Sequence, residues 1–244
     1  MARPCIPYSG RGGASSAAAG AAYERVVYDV TRRIKPKHAS HFFNTQSLHE
    51  LGGSSSGHDI ICNWNKSFDC PIEIKKRTAM DWMQCSLYYE NGVWRPTRNG
   101  KNNKNCRELM GSLVSGETLF GGLVPPFMSE SMTYERWLKY RKDYPTQFFT
   151  IPDEVISELY RLKGSKYLQI GYYGLYKTSE VDFCDFGVPR FSCETVMRVR
   201  VKVHCKRTCK LSVVISPFPI GLQNLPASSA SLDSFFGLPS NFRC

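Results

Sequence analysis

The sequence predicts an α/β fold, and three observations carry that reading. Tyr23, Val26, Val27, Val30 and Ile34 recur at three- and four-residue spacing, the period of one helix face. Residues 58–64 and 70–76 are apolar, strand-type runs on either side of a turn-rich piece. Strand-type runs return beyond Gly164, after three further stretches of helical character.

In chain order, residues 1–20 are small and polar and are expected to form a flexible arm. The helix follows over 21–35 and is ended by Pro36, which cannot continue it. Gly, Ser and Gly again at 52–57 make a loop that opens into the first strand. Asn65, Lys66 and Ser67 turn the chain back, so the two strands form an antiparallel hairpin. Thr78 caps a second expected helix through Tyr89, with Asn91 and Gly92 as its stop. Residues 95–107 are basic and turn-forming. Helices are expected at 106–119, 133–142 and 152–163, and strands at 167–173, 195–204 and 211–215. Pro, Ser, Gly and Asn dominate from Pro217, giving a single domain over 21–216 and a flexible tail over 217–244. No internal repeat is present.

Hydrophobic residues at 42% exclude a wholly disordered chain. No run is long and apolar enough to span a bilayer, and residues 1–20 lack the apolar centre of a secretory signal. The expectation is a soluble intracellular protein, with nucleus or cytoplasm left undetermined. The ten cysteines are scattered and read as reduced thiols. His204, Cys205 and Cys209 cluster tightly but lack the second ligand pair of a zinc site. A net charge of +11 favours a polyanionic partner, nucleic acid first.

Phosphodiester hydrolysis needs charge neutralised on the phosphorus centre and an activated water, which Mg2+ supplies. That ion takes oxygen ligands, typically carboxylates from more than one strand. In the expected hairpin, Asp59 and Glu73 lie nearly symmetrically about the turn, which brings them together. Glu73 and Lys75 are two apart and leave one face of their strand, placing an ammonium beside the carboxylate pair. There it can orient the attacking water or help deprotonate it.

The Gly57-His58-Asp59 turn followed by Ile72-Glu73-Ile74-Lys75 resembles the Asp…Glu-x-Lys signature of the PD-(D/E)XK, or restriction-endonuclease-like, nuclease superfamily. Gln84-Cys85-Ser86-Leu87-Tyr88 resembles the QxxxY motif of its RecB and lambda-exonuclease-like branch. The resemblance implies a central mixed β-sheet flanked by helices and catalytic residues Asp59, Glu73, Lys75, Gln84 and Tyr88. It also implies one or two Mg2+ or Mn2+ ions held by Glu24, Asp59, Glu73 and Ile74. His58 stands where the superfamily name has Pro.

The implied activity is hydrolysis of DNA in recombination, repair or genome processing. An RNA endonuclease of the same fold is an alternative, and so is a non-catalytic basic protein that binds or packages nucleic acid. Lys76 and Arg77 directly follow the catalytic strand and are candidates to touch phosphates. Arg198, Arg200 and Lys202 alternate with valines, so they form either a DNA-contacting face or a solvent face. Arg95, Arg98, Lys101, Lys104 and Arg107 form either a substrate clamp or a polar insertion. Leu232, Phe235 and Phe236 in the tail resemble a sliding-clamp-binding peptide, unless they dock on the protein's own core.

Overall fold

The structure, a computed structural model, describes residues 13–31, 43–45, 59–64, 68–79, 81–98, 103–234 and 237. Its first element is helix α1 (Gly13–Thr31). The expected flexible arm is therefore helical from Gly13 onward. Alanine has the strongest intrinsic helix preference, so the Ala-rich run extends the amphipathic segment toward the N-terminus. Val27 and Val30 are its buried apolar residues.

The strands are β1 (Phe43–Thr45), β2 (Ile60–Trp64), β3 (Phe68–Lys75), β4 (Cys85–Glu90), β5 (Val93–Pro96), β6 (Gln147–Ile151), β7 (Tyr167–Ile170), β8 (Gly174–Lys177), β9 (Thr195–Cys205) and β10 (Lys210–Pro219). Between them lie α2 (Lys104–Val114), α3 (Tyr134–Tyr140) and α4 (Val155–Lys163). The first sheet has order β1-β2-β3-β7-β8 and is mixed, with β3 and β7 parallel. The second has order β5-β4-β10-β9-β6 and is antiparallel throughout. The α/β class and a mixed sheet flanked by helices are thus observed, with a second sheet that the sequence did not separate.

The expected hairpin forms: β2 pairs antiparallel with β3 from Ile60 opposite Ile72 to Trp64 opposite Phe68. Beyond it, β3 alternates. Cys70, Ile72 and Ile74 join Val27, Ile60, Tyr167 and Leu175 in one buried cluster. Glu73 and Lys75 leave the opposite face, toward α4. Parallel strands need a long crossover, and here the whole of β4 to α4 intervenes between β3 and β7. Every residue of β7 is buried, because both faces of the sheet are covered.

Helix α4 ends at Gly164, whose φ of 98° is left-handed and open to glycine without strain. Its N–H donates to Arg161 O at 2.9 Å, and Lys166 N donates to Pro71 O at 2.8 Å, starting β7 beside β3.

The expected helix from Thr78 to Tyr89 is not formed. Cys85 and Leu87 are buried, Ser86 and Tyr88 only half-buried, which is the period of a strand. Asn91 and Gly92, at φ of 52° and 79°, are the turn between β4 and β5. An Asn-Gly pair suits a two-residue hairpin because both positions need positive φ. The dipeptide expected to stop a helix thus turns a hairpin.

The described part of the tail, residues 217–234 and 237, also departs from expectation. β10 runs to Pro219, and Leu175 N donates to Ala230 O at 2.8 Å. Leu232 is fully buried with Val27, Ile60 and Leu175. The Asp233 carboxylate accepts from Tyr172 N at 2.9 Å, Gln169 Nε2 at 3.2 Å and the Tyr23 hydroxyl. Leu232 therefore belongs to the protein's own core and not to a clamp-binding peptide. Phe235 and Phe236 lie outside the described residues.

This docking makes the tail part of the folded unit. Leu232→Ala should cost about 2–4 kcal/mol, the range for emptying a filled leucine site. Urea unfolding monitored by circular dichroism checks it; an unmoved midpoint would mean the tail contributes nothing.

Candidate active site

Asp59 sits one residue before β2, where the ladder with β3 has ended at the Ile60–Ile72 pair. Past that pair the β2-facing edge of β3 needs another acceptor. Asp59 supplies it, as Ile74 N donates to Asp59 Oδ2 at 2.8 Å. The N–H and C=O of one strand residue face the same side, so the Ile74 carbonyl lies along the edge that Asp59 occupies.

On the α4 face, Lys75 Nζ lies 2.5 Å from Glu73 Oε1 and 3.8 Å from Asp59 Oδ2. One ammonium thus joins both carboxylates. Lys163, from the last turn of α4, approaches Glu73 Oε2 at 2.6 Å. The Tyr160 ring, one turn earlier, lies 5.4 Å from Lys75 Nζ and 5.8 Å from Lys163 Nζ. Its hydroxyl donates to Trp82 O. Lys163 and Tyr160 are site residues that the sequence motifs do not include. The only local sign is a basic residue in a helical turn closed by Gly164.

A cavity of about 410 Å³ opens beside this cluster, lined among others by Glu24, Ile74, Lys75, Lys76, Asp81 and Gln84. Glu24 therefore reaches the site from α1. Gln84 also reaches it, but from the loop before β4. Its Nε2 donates to Asp81 Oδ2 at 2.6 Å, and its Oε1 accepts from Lys202 at 2.6 Å. Tyr88 lies further along β4 and lines other cavities, so the expected one-turn pairing of Gln84 and Tyr88 is not made.

The basic residues of β9 are not a plain solvent face, because they pair with groups at the cavity wall. Arg198 is buried, its Nη1 3.5 Å from Asp81 Oδ1, and Arg200 Nη2 is 2.8 Å from Asp81 Oδ2. Asp81, which no sequence motif marks, collects these cations at the cavity wall. Lys76 lines the cavity, whereas the Arg77 guanidinium stacks on the Tyr172 ring at 4.8 Å.

Burial, and then the charge of Glu73, push the Asp59 carboxyl up to about 6 despite Lys75. Burial alone would raise Glu73 as well, but Lys75 and Lys163 outweigh it and hold Glu73 below its ordinary value. Burial works against the charge on Lys75, yet Glu73, Tyr160 and Asp59 keep it well above the usual lysine range. Burial also raises Glu24, with Lys75 opposing. The metal-free site therefore contains one carboxylate held below its ordinary value, one held above it, and an ammonium between them held well above its own.

Among the described residues no group of three or more His, Cys, Asp or Glu side chains is placed to hold a metal ion. Mg2+ makes a different demand, since it takes one or two carboxylates and fills its remaining positions with water and substrate oxygens. Asp59 and Glu73, with the Ile74 carbonyl edge and Glu24 nearby, fit that demand. Among the described residues no helix is long and apolar enough to cross a membrane. Compared with known proteins, the chain matches no family model, no curated protein and no solved structure.

The Asp59 shift has a consequence for the metal-free protein. Its folded value of about 6 lies above the ordinary 3.8, so the folded state binds the extra proton between those values. Stability contributed by Asp59 is present below about pH 4 and lost as pH rises to about 6. Glu73 runs in the opposite sense, so the substitution must isolate Asp59. In EDTA, Asp59→Asn should be more stable than wild type at pH 7, by about 1–3 kcal/mol, and converge with it near pH 4. Urea melts at both pH values test this; parallel profiles would contradict it.

Proposed function

We propose that the chain is a metal-dependent nuclease of the PD-(D/E)XK type that hydrolyses phosphodiester bonds of DNA. The observation that carries the reading is the single ammonium of Lys75 joining Asp59 and Glu73 at the rim of a cavity lined by Glu24. The surrounding mixed sheet, with Asp59 at the entry to β2 and the Glu73-x-Lys75 pair on adjacent β3, supports the same reading. A basic protein of net charge +11 suits a polyanionic substrate.

In this reading Asp59, Glu73 and the Ile74 carbonyl hold Mg2+ or Mn2+, with Glu24 as a further carboxylate at the wall. The metal would supply charge neutralisation at the phosphate and a more acidic water. The chain's own residues divide the remaining work. Lys75, kept protonated by its neighbours in the metal-free protein, orients the attacking water and offsets charge on the phosphate. Asp59 would act as a ligand, held ionised whenever the ion is bound. Lys163 and the Tyr160 ring hold Glu73 and Lys75 in place from α4.

The Gln84–Tyr88 pairing does not support the RecB-like branch. Gln84 stands at the cavity through a network with Asp81 and Lys202, so its role is to position the wall. A second reading rests on the two lysines that occupy Glu73. Paired ammoniums on one buried carboxylate also suit a purely structural ion network, as in a non-catalytic nucleic-acid-binding protein.

The two readings separate experimentally. Linear and circular DNA, and RNA in parallel, should be incubated with Mg2+ or Mn2+. DNA cleavage is expected, abolished by EDTA and lowered at least about 100-fold by Asp59→Asn, Glu73→Gln or Lys75→Ala. Lys163→Met should lower it less. Full activity of Glu73→Gln, or cleavage in excess EDTA, would exclude the proposed chemistry. No cleavage of either nucleic acid, together with lost stability in Glu73→Gln, would favour the structural network.

A further inference from the structure

A second concavity, of about 570 Å³, lies between β5 and α2. It is lined among others by Tyr88, Arg95, Arg98, Lys104 and Arg107, with Glu108 as the only carboxylate among its lining residues. Lys104 and Glu108 pair loosely at 3.7 Å on the exposed side of α2. Among the described residues Arg95 and Arg98 make no ion pair, and Tyr88 makes no hydrogen bond or ring contact. Two exposed guanidiniums and a half-buried aromatic ring thus converge on one groove without partners of their own.

The register of the second sheet ties this groove to the catalytic cavity. Tyr88 stands directly opposite Arg95, and Ser86 is opposite Val214, which is opposite Arg200. Residues opposite one another share a face, and alternation puts Ser86 and Tyr88 on that same face. The face that carries Arg200 and Lys202 at the catalytic end therefore continues through Ser86 to Tyr88 and Arg95. From Gln84 at the catalytic cavity to Tyr88 is four residues of extended chain, about 13 Å. A few nucleotides span that distance.

We propose that the β5–α2 groove binds an unpaired stretch of nucleic-acid strand, stacking a base on Tyr88 while Arg95, Arg98 and Lys104 hold its phosphates. The occupant is a single strand because a ring in a groove can stack only on a base whose face is free. A duplex keeps those faces covered. The cations give the sequence-independent part of the binding through counterion release. The nuclease reading supplies what the strand is delivered to; the binding itself does not depend on it.

The test uses the full-length chain in EDTA, so that no result depends on cleavage. Fluorescence anisotropy measures affinity for labelled dT20, rU20 and a blunt 20-base-pair duplex. Arg95→Glu/Arg98→Glu should bind both single strands at least tenfold more weakly than Lys139→Glu/Lys142→Glu. Those two lysines are exposed and carry the same charge change elsewhere on the surface. Tyr88→Ala should weaken single-strand binding at least fivefold and leave duplex binding unchanged. Lys104→Glu, on α2, should weaken it independently of β5. Thermal melts within a few degrees of wild type confirm that each variant is folded. Equal affinity of the Arg95/Arg98 and control variants would overturn the proposal. So would an unaffected Tyr88→Ala, or competition by poly-glutamate as effective as that by dT20. Loss of DNA cleavage in every assay, with single-strand binding intact, would overturn only the nuclease reading.

Discussion

Glu73 is 3% exposed in the middle of a sheet, and the arrangement of the molecule is organised around making that tolerable. Taking a carboxylate out of water costs several kcal/mol unless close charges and hydrogen bonds replace the lost hydration. Lys75, two residues along β3, can neutralise one oxygen from within the strand. The other oxygen is met by Lys163, ninety residues away in sequence. That contact requires α4 to end at Gly164 and β7 to begin against β3. The parallel pairing of β3 with β7 and the ionic state of Glu73 are thus one constraint seen from two sides.

The loop that leads from the first sheet to the second is tied to the second through Asp81. Its carboxylate receives Arg198 and Arg200 from β9 and the Gln84 amide from its own loop. Lys202 completes the set on Gln84. The basic residues of β9 are consequently tied to Asp81 and Gln84, which line the cavity.

Much of the site is legible in the sequence. Asp59, Glu73 and Lys75 depend on a hairpin whose strands and turn are local, so spacing alone places them together. Glu24 is implied at the site by the family resemblance, since the helical period puts it only on the polar side of α1. The helix expected over 78–89 fails for a definite reason. Cys85, Leu87 and the polar residues between them fit a strand, while Trp82, Cys85 and Tyr89 imitate a helical stripe. A short segment satisfies both periods until a neighbour decides. That neighbour is β10, which pairs Val213, Val214 and Ile215 with Leu87, Ser86 and Cys85.

The residues that only the fold could supply are those contributed across long separations. Lys163, Tyr160 and Asp81 carry no local signature, since an exposed lysine, a half-apolar helix face and a loop aspartate are ordinary features in sequence. Leu232 likewise reads as part of a loose tail until α1, β2 and β8 form a space for it. The sequence by itself determined the class of fold, the hairpin that brings Asp59, Glu73 and Lys75 together and the basic character of the chain, because each follows from composition or from contacts within about twenty residues. The tertiary structure alone decided which charges neutralise Glu73, which face β9 presents and where Tyr88 lies, because those depend on pairings between elements that sequence order keeps apart.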